Sequence, residues 1–422
     1  MANLRVGTGI TFDGATGNFN TLGIGTVRGA FNATGAINAT SGVNVGTAAT
    51  IHANGNVTCG IITTTNIVNS TALTNRNLII NGAMQVAQRG DTASVTSGYG
   101  GADRFKFDRD GATAVTLKQG GASDSPVSEG FSNCQHIDIT TADTSMGSAN
   151  YNILTTRLEG YNLQGIQKGT ANARELTLSF YIKSTVTGTY IAELVDQTNS
   201  ARHVNKAYTI SASNTWEHKV ITFPADTTGT ITSDHNRRLD INWWLGAGSN
   251  YNSGTLQTSW GSDTNANRAV GQVNAVNSTS NDIMITGVQL EVGSVATPFE
   301  HRSFGDEMAR CKRYYNKVSD AEGQSGEKPI SLAVYETNSA VTTIFNFPKM
   351  RNVPTLDITN GTNKFMVRSN SVSDHFDTMT FRYGTTQTAE IVASSGVSGT
   401  AGYGGFLRSA DTDVYVAFSA EL

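Results

Sequence analysis

The sequence predicts an all-β protein whose strands pack as antiparallel sandwiches. Three observations favour this fold class. Only 15% of the 422 residues are charged, 44 glycines stand against 6 prolines, and short runs of alternating apolar residues are separated by turn-rich segments. Thr, Ser and Asn fill many of the remaining polar positions, which suits strands joined by turns and is poor for helical bundles. We expect four segments: a β-shaft over 1–75, a jelly-roll sandwich over 76–302, a linking helix over 303–318 and a smaller β-domain over 319–422.

The first segment, 1–75, is poor in both charge and apolar side chains. Arg5, Asp13 and Arg28 are its charged residues, and it has no proline. Its apolar residues recur at intervals of six within three groups: Phe31, Ile37, Val43; Val45, Ile51, Val57; and Ile61, Ile67. Such a chain cannot bury enough apolar surface to fold alone. It predicts either a disordered linker or, as we interpret it, a trimeric β-shaft in which three copies share one core.

The second segment, 76–302, carries the strand patterns of the sandwich. Along one strand, Leu239, Ile241, Trp243 and Leu245 alternate with Asp240, Asn242 and Trp244. Since successive side chains of a strand point to opposite faces, Trp243 is expected in the core and Trp244 on the other face. The last strand, around Ile283 to Leu290, shows the same alternation with a break at Gly287.

The linking helix is expected to begin after Ser303, a residue type that favours the N-cap position. An apolar stripe recurs at helical spacing through Phe304, Met308, Cys311 and Tyr315. Its simplest role is core packing, and in a trimer it is suited to line the three-fold axis.

The last segment, 319–422, shows six candidate strands: 330–335, 343–347, 364–368, 379–383, 390–393 and 414–420. The glycine-rich stretch GTAGYGG, 399–405, is expected between them, and the final strand is expected to tie the C-terminal residues into a sheet.

Three stretches carry a resemblance to known proteins. They are NRNLIINGAMQVAQRG (75–90), ADRFKF (102–107) and ITGVQLEVGSVATPFEHRSFGDEMARCKRYY (285–315). The set resembles segments of phage tail fibre and tail-associated structural proteins, especially those of marine phages. The NLIINGAM stretch paired with GVQLEVG is also similar to jelly-roll carbohydrate-binding modules. The resemblance implies a sandwich over roughly 76–318 and does not specify a ligand.

The sequence shows no catalytic or cofactor motif. It has no H-E-x-x-H pair, G-x-S-x-G elbow, P-loop or G-x-G-x-x-G, and its three cysteines are far apart. We therefore expect no enzyme activity, no cofactor and no metal. A formal charge of −4 gives no electrostatic case for nucleic acid, and no apolar run approaches the ~18 residues of a membrane span, so no membrane insertion is expected.

Four aromatic residues are the candidate ligand-binding side chains: Trp244, Tyr251, Trp260 and Tyr403. Exposed aromatic rings stack on the apolar faces of pyranoses. Tyr251 and Trp260 fall in a loop rich in Gly, Ser and Asn, and Tyr403 falls in the glycine-rich GTAGYGG stretch. For Trp244 and Tyr403, packing against other protein surface is the competing interpretation.

These observations predict a homotrimeric phage tail fibre, assembled in the host cytoplasm and carried on the virion tail. Residues 1–30 are expected to meet other tail proteins, and the domains beyond the shaft a host surface glycan or envelope protein. Two alternatives stay open: a capsid decoration protein or head fibre, and a polysaccharide-degrading tailspike enzyme.

Overall fold

The structure is a computed structural model that describes residues 75–198, 201–324 and 326–422, together with five short strands nearer the N-terminus. Two units make up the chain, Met1–Val68 and Asn69–Leu422. In the first unit, β1 (Ile10–Asp13) pairs with β2 (Asn18–Thr21), and β3 (Val43–Val45), β4 (Ala49–Ile51) and β5 (Val57–Cys59) form an antiparallel meander. The rest of the expected shaft lies outside the described residues, and its trimeric assembly stays a prediction.

The second unit begins with a sandwich of two antiparallel sheets, as predicted. Its strands are β6 (Thr92–Val95), β7 (Gly98–Tyr99), β8 (Lys106–Asp110), β9 (Ala114–Gly120), β10 (Cys134–Thr141), β11 (Tyr151–Glu159), β12 (Leu176–Ser184), β13 (Gly188–Asp196), β14 (Arg202–Ile210), β15 (Glu217–Phe223), β16 (Arg237–Ala247), β17 (Gly261–Ser262) and β18 (Asp282–Val292). One sheet has the order β15-β12-β18-β10-β9-β6 and the other β17-β14-β13-β16-β11-β8-β7. Helix α1 (Ser249–Asn252) and four 3-10 turns lie in the connections: Val127–Glu129, Gly160–Asn162, Gln164–Ile166 and Asn265–Asn267.

The core of the sandwich forms from the inward faces of both sheets. The Trp243 ring lies 5.8 Å from Phe180 of the opposite sheet in an edge-to-face arrangement and 6.3 Å from Phe105. All three side chains are fully buried. The alternation read along β16 is therefore confirmed, because Trp243 faces the core and Trp244 faces away from it.

Gly287 lies in the middle of β18, where the pairing register with β12 shifts between Ser179 and Tyr181. Its φ of +61° is in the left-handed region that glycine adopts without strain. The expected break is thus a β-bulge, after which the strand continues to Val292.

Helix α2 (Phe304–Lys312) follows the sandwich and is shorter than expected. Its N-cap is Ser303, whose Oγ accepts a hydrogen bond from the Asp306 backbone N–H at 3.2 Å, as the sequence predicted. The helix ends at Lys312, and Tyr315 already belongs to the next strand. Phe304, expected on the packed stripe, is exposed at the start of the helix.

The C-terminal domain contains β19 (Tyr315–Asp320), β20 (Pro329–Thr337), β21 (Ala340–Asn346), β22 (Thr355–Ile358), β23 (Phe365–Ser369), β24 (Val372–Phe376), β25 (Thr380–Gly384), β26 (Thr388–Ala393), β27 (Gly404–Ser409) and β28 (Tyr415–Ser419). Three strands, β19-β28-β22, form one sheet, and seven form the other in the order β24-β23-β27-β20-β21-β26-β25. The six predicted strands are present. The sequence did not predict four strands: β19, where residues 315–318 were expected to be helical, and β22, β24 and β27. The GTAGYGG stretch supplies the first two residues of β27.

Ion pairs with buried carboxylates join the C-terminal domain to the sandwich. Arg313 Nε donates to Glu159 Oε1 at 2.6 Å, and the Tyr314 hydroxyl donates to the same oxygen at 2.6 Å. Arg104, almost fully buried in the sandwich, pairs with Glu421. Neither helix in the described part of the chain is long and apolar enough to cross a membrane.

Candidate functional site

A groove of about 410 Å³ lies on the outer face of the seven-stranded sandwich sheet. The strand register sets its floor, because Thr155 of β11 pairs with Asn242 of β16, and Asn242 pairs with Glu193 of β13. These residues alternate with core residues, so their side chains share the face away from the core. The groove is lined by Asp108, Tyr151, Ile153, Thr155, Arg157, Val195, Gln197, Ala201, Arg237, Asp240, Asn242, Trp244, Tyr251, Asp263 and Arg268.

Trp244 lies at the base of this groove and is not an exposed platform. Only 1% of the residue is exposed, since the chain after β16 folds back over the end of the sheet. The Tyr251 ring packs 5.5 Å from the indole, and the Arg268 guanidinium lies 5.2 Å above it. The expectation of a free Trp244 face is therefore wrong. Tyr251 and Tyr151, whose ring centroids are 5.7 Å apart, supply the half-buried aromatic surface instead.

The charged groups of the groove are paired with one another. Arg237 Nε donates to both carboxylate oxygens of Asp240, at 2.7 and 3.0 Å. Asp108 accepts hydrogen bonds from Arg157 at 3.4 Å and from Lys106, outside the groove, at 3.0 Å. The buried Glu193 accepts a bidentate pair of hydrogen bonds from Arg268, at 2.7 and 2.9 Å. Because each cation has a carboxylate partner, the groove presents little net charge to a ligand.

Two carboxylates in the groove are held ionised. Burial alone would raise the pKa of Asp108, but hydrogen bonds from Ser97 and Lys106 outweigh burial and lower that pKa. The close approach of His203, whose Nδ1 lies 3.3 Å from Asp263 Oδ1, lowers the pKa of Asp263, and Arg268 adds to the effect. Neither group has the raised pKa that a general acid of glycoside hydrolysis needs.

Two polar atoms at the groove floor are buried without a partner. Among the described residues, neither Thr155 Oγ1 nor Asn242 Oδ1 has a hydrogen-bond partner, although both residues are at least 97% buried. The side-chain amide N–H of Asn242 donates to Glu193 Oε2 at 2.8 Å, so only the amide oxygen is without a partner. A buried unpaired acceptor costs roughly 1–3 kcal/mol. Such atoms on the floor of a groove fit a ligand that brings hydroxyl groups.

The structure brings two of the four predicted residues together, Trp244 and Tyr251. Trp260 lies outside the groove, where its Nε1–H donates to the Pro224 carbonyl at 2.8 Å. Tyr403 is exposed and lines a separate cavity of about 180 Å³ in the C-terminal domain. Ligand binding by these four residues stays a prediction.

Sequence reasoning missed most of the groove. Thr155 and Arg157 alternate along β11, and this alternation was the available signal, but nothing in it distinguishes a groove from an ordinary solvent-facing strand. Asp108, on β8, joins them only through pairing of β8 with β11. Within the described residues, no group of three or more His, Cys, Asp or Glu side chains is arranged to hold a metal ion.

Comparisons with known proteins give structural neighbours and no sequence match. No protein-family model matches the chain, and no curated protein sequence matches it. Among solved structures, the enzymatically active domain of tailspike protein 4 from bacteriophage CBA120 aligns with 51% of this chain and 21% of its own chain. Its identity is 14% and its TM-score 0.29.

Two sugar-binding proteins align over a similar share. A putative sugar-binding protein from Bacteroides thetaiotaomicron covers 51% of this chain and 100% of its own, at 14% identity and a TM-score of 0.29. The family 11 carbohydrate-binding module of a Clostridium thermocellum cellulase covers 51% and 98%, at 15% identity and a TM-score of 0.25. At these scores the alignments carry no argument about function, which has to come from the groove itself.

Proposed function

We propose that this chain is a glycan-binding adhesion protein of a phage tail fibre, and that the groove on the sandwich binds a neutral oligosaccharide. The observation that carries the proposal is the pair of unpartnered polar atoms, Thr155 Oγ1 and Asn242 Oδ1, at the floor of the groove. Both atoms are closed to solvent in the described conformation, so sugar hydroxyls donate to them once the side chains that line the groove move aside, and the half-buried rings of Tyr151 and Tyr251 offer apolar edges to a pyranose.

The paired charges favour a neutral sugar over an acidic one. An acidic glycan needs an unpaired cation, whereas Arg237 and Arg268 already hold carboxylates. Binding without cleavage fits the same geometry, since Asp108 and Asp263 have lowered pKa values and hydrolysis needs a protonated acid beside the bond.

The tail-fibre role is supported by the resemblance of segments 75–90, 102–107 and 285–315 to tail proteins. Adhesion by a shallow, neutral site gains strength from several copies on one particle, because effective concentration multiplies weak contacts. The role therefore includes a homotrimer on the virion tail. Immunogold labelling of particles tests this position against a place on the capsid.

Thr155→Val tests the groove, because it removes the unpartnered hydroxyl while keeping the side-chain shape. The full chain is screened on an array of neutral and acidic oligosaccharides, and the best neutral ligand is titrated by calorimetry. Losing one hydrogen bond of about 1 kcal/mol weakens binding by about fivefold. The free energy of unfolding does not fall, since a buried orphan hydroxyl has been removed.

Thr113→Val is the matched control. The Thr113 hydroxyl is also buried without a partner among the described residues, but Thr113 does not line the groove. Its variant is expected to bind the glycan as tightly as the parent chain. Equal affinity of the Thr155 variant and the parent, or no binding of any neutral glycan, refutes the proposed site. Release of reducing ends from the bound glycan refutes binding without cleavage.

A further inference from the structure

The outer face of the seven-stranded C-terminal sheet carries an exposed apolar row. Phe406 of β27 pairs with Leu332 of β20, and the β20–β21 register places Ile344 on the other side of Leu332. Their exposed fractions are 56%, 68% and 57%, and the adjacent Val334 is 50% exposed. Neighbouring apolar side chains exposed to this degree mark interaction surfaces more often than ordinary solvent-facing sheet.

The inner face of the same sheet is covered, so the exposure is one-sided. Ala333, Tyr335, Phe345 and Leu407 alternate with the exposed residues and lie in the core of the C-terminal domain. The seven strands, about 4.8 Å apart, span about 29 Å, and five to nine residues per strand give a length of about 17–30 Å. That face offers on the order of 500–900 Å², comparable with the ~800 Å² that each partner buries in a stable contact.

Charges of opposite sign bound the row at its two ends. Arg368 pairs in register with Phe406, and Glu390 pairs with Ile344, so the row runs from a cation through three apolar side chains to an anion. Around the first end, Arg368 and Arg408 share Glu327, which leaves a net charge of +1. We name this group the basic edge.

The other end of the row has the opposite balance. Glu336 and Glu390 share the single cation Arg382, which leaves a net charge of −1. We name this group the acidic edge. The face as a whole therefore sums to zero, so a strongly charged partner such as nucleic acid gains nothing from it.

We infer that this face contacts another copy of this chain. A rotation axis parallel to the strands places the basic edge of one copy against the acidic edge of the next and brings the apolar rows together. A glycan is a poorer fit, because the centre of the row is aliphatic and stacking on sugars uses aromatic rings. In the homotrimer of the proposed function, on which this inference rests, a three-fold axis along the strands produces this arrangement three times.

Leu332→Lys tests the apolar row in the full chain. The side chain is exposed, so the variant keeps its fold, and light scattering coupled to size exclusion gives the mass. The parent chain is expected to be a trimer, and the variant a trimer held by the shaft alone, which dissociates on dilution at a concentration at least tenfold higher. Val295→Lys is the matched control, because Val295 is equally exposed but lies after the last sandwich strand. The Val295 variant is expected to form the same trimer as the parent chain.

Charge reversal tests the two edges. Arg408→Glu makes the basic edge negative, and Glu336→Lys makes the acidic edge positive, so each single variant sets like charges together. Each is expected to weaken association at least tenfold. The double variant has complementary edges again and is expected to recover most of the parent association. Failure of the double variant to recover overturns the assignment of the edges.

The outcomes separate this inference from the proposed function. A Leu332 variant whose trimer dissociates at the same concentration as the parent trimer overturns the inference, while glycan binding and the trimer of the fibre stand. A dimer that the variant dissociates supports the face and overturns the trimeric fibre. A monomeric parent chain overturns both the face and the trimer, and the Thr155→Val titration still decides the groove.

Discussion

Gly287→Ala is expected to destabilise the sandwich by about 2–5 kcal/mol. Two costs add at this bulge in β18. At a φ of +61°, alanine costs about 1–2 kcal/mol relative to glycine. A Cβ there would also lie 2.7 Å from Phe131 Cζ and 3.1 Å from Tyr181 Cδ2, closer than packed carbon atoms approach. Moving these rings costs about 1–3 kcal/mol as overpacking.

Gly90→Ala separates the two costs. Gly90 has a similar φ of +66°, but a Cβ there meets no atom within 4 Å among the described residues. Its expected loss is the backbone cost alone, about 1–2 kcal/mol. The difference between the two variants therefore measures the contact with Phe131 and Tyr181.

Tryptophan fluorescence during urea unfolding is the assay. All four tryptophans of the chain lie between 216 and 260, so the signal reports the sandwich. The midpoint is expected to fall in both variants with an unchanged slope, and to fall further for Gly287→Ala. Equal midpoints refute the steric reasoning, and an unshifted midpoint in both refutes the assignment of backbone strain.

Three further predictions concern buried ionisable groups. Glu193→Gln leaves the Arg268 cation without its buried carboxylate and is expected to lower the free energy of urea unfolding by about 3 kcal/mol, whereas Asp138→Asn in the partly exposed pair with Lys118 lowers it by less than ~1 kcal/mol; similar losses contradict this. Burial raises the pKa of Asp226, but hydrogen bonds from neighbouring arginine and lysine side chains outweigh it and lower that pKa. Ionised Asp226 thus stabilises the fold above its unfolded pKa of about 3.9, and this stabilisation is lost as the pH falls towards the lower folded pKa. We therefore expect Asp226→Asn to flatten the decline in melting temperature between pH 5 and 3. Parallel melting curves for the variant and the parent chain count against this prediction. Burial raises the pKa of the Cys134 thiol to about 11, so iodoacetamide at pH 8 should label it slowly in the native chain and rapidly in urea, as peptide mass spectrometry can measure; fast native labelling argues against its burial.

The proposed glycan site and the proposed contact between copies use different residues. Each of the two proposals can therefore be tested without disturbing the other. Thr155 and Asn242 lie on the sandwich, whereas Leu332 and Phe406 lie on the C-terminal domain. A chain that assembles but does not bind glycan, or binds glycan as a monomer, therefore identifies which half of the model is wrong.

The sequence by itself determined the features that depend on neighbouring residues. The all-β class followed from composition and alternation, and the opposite faces of Trp243 and Trp244 followed from the two-residue period of a strand. The break at Gly287, which the structure shows to be a bulge, and the cap at Ser303 were also predicted, because each depends on one residue's conformational preference. These features confirm that local chemistry fixes where a strand or helix starts, breaks and turns its side chains.

Only the tertiary structure decided what each face meets. Trp244 is buried because the chain after β16 folds back over it. The alternation along β16 does not indicate which segment covers that face. The groove combines Asp108, Arg157 and Asp263, which become neighbours only when strands far apart in sequence pair in one register. Strand period specifies the direction of a side chain, while pairing and covering loops specify its surroundings, and binding depends on the surroundings.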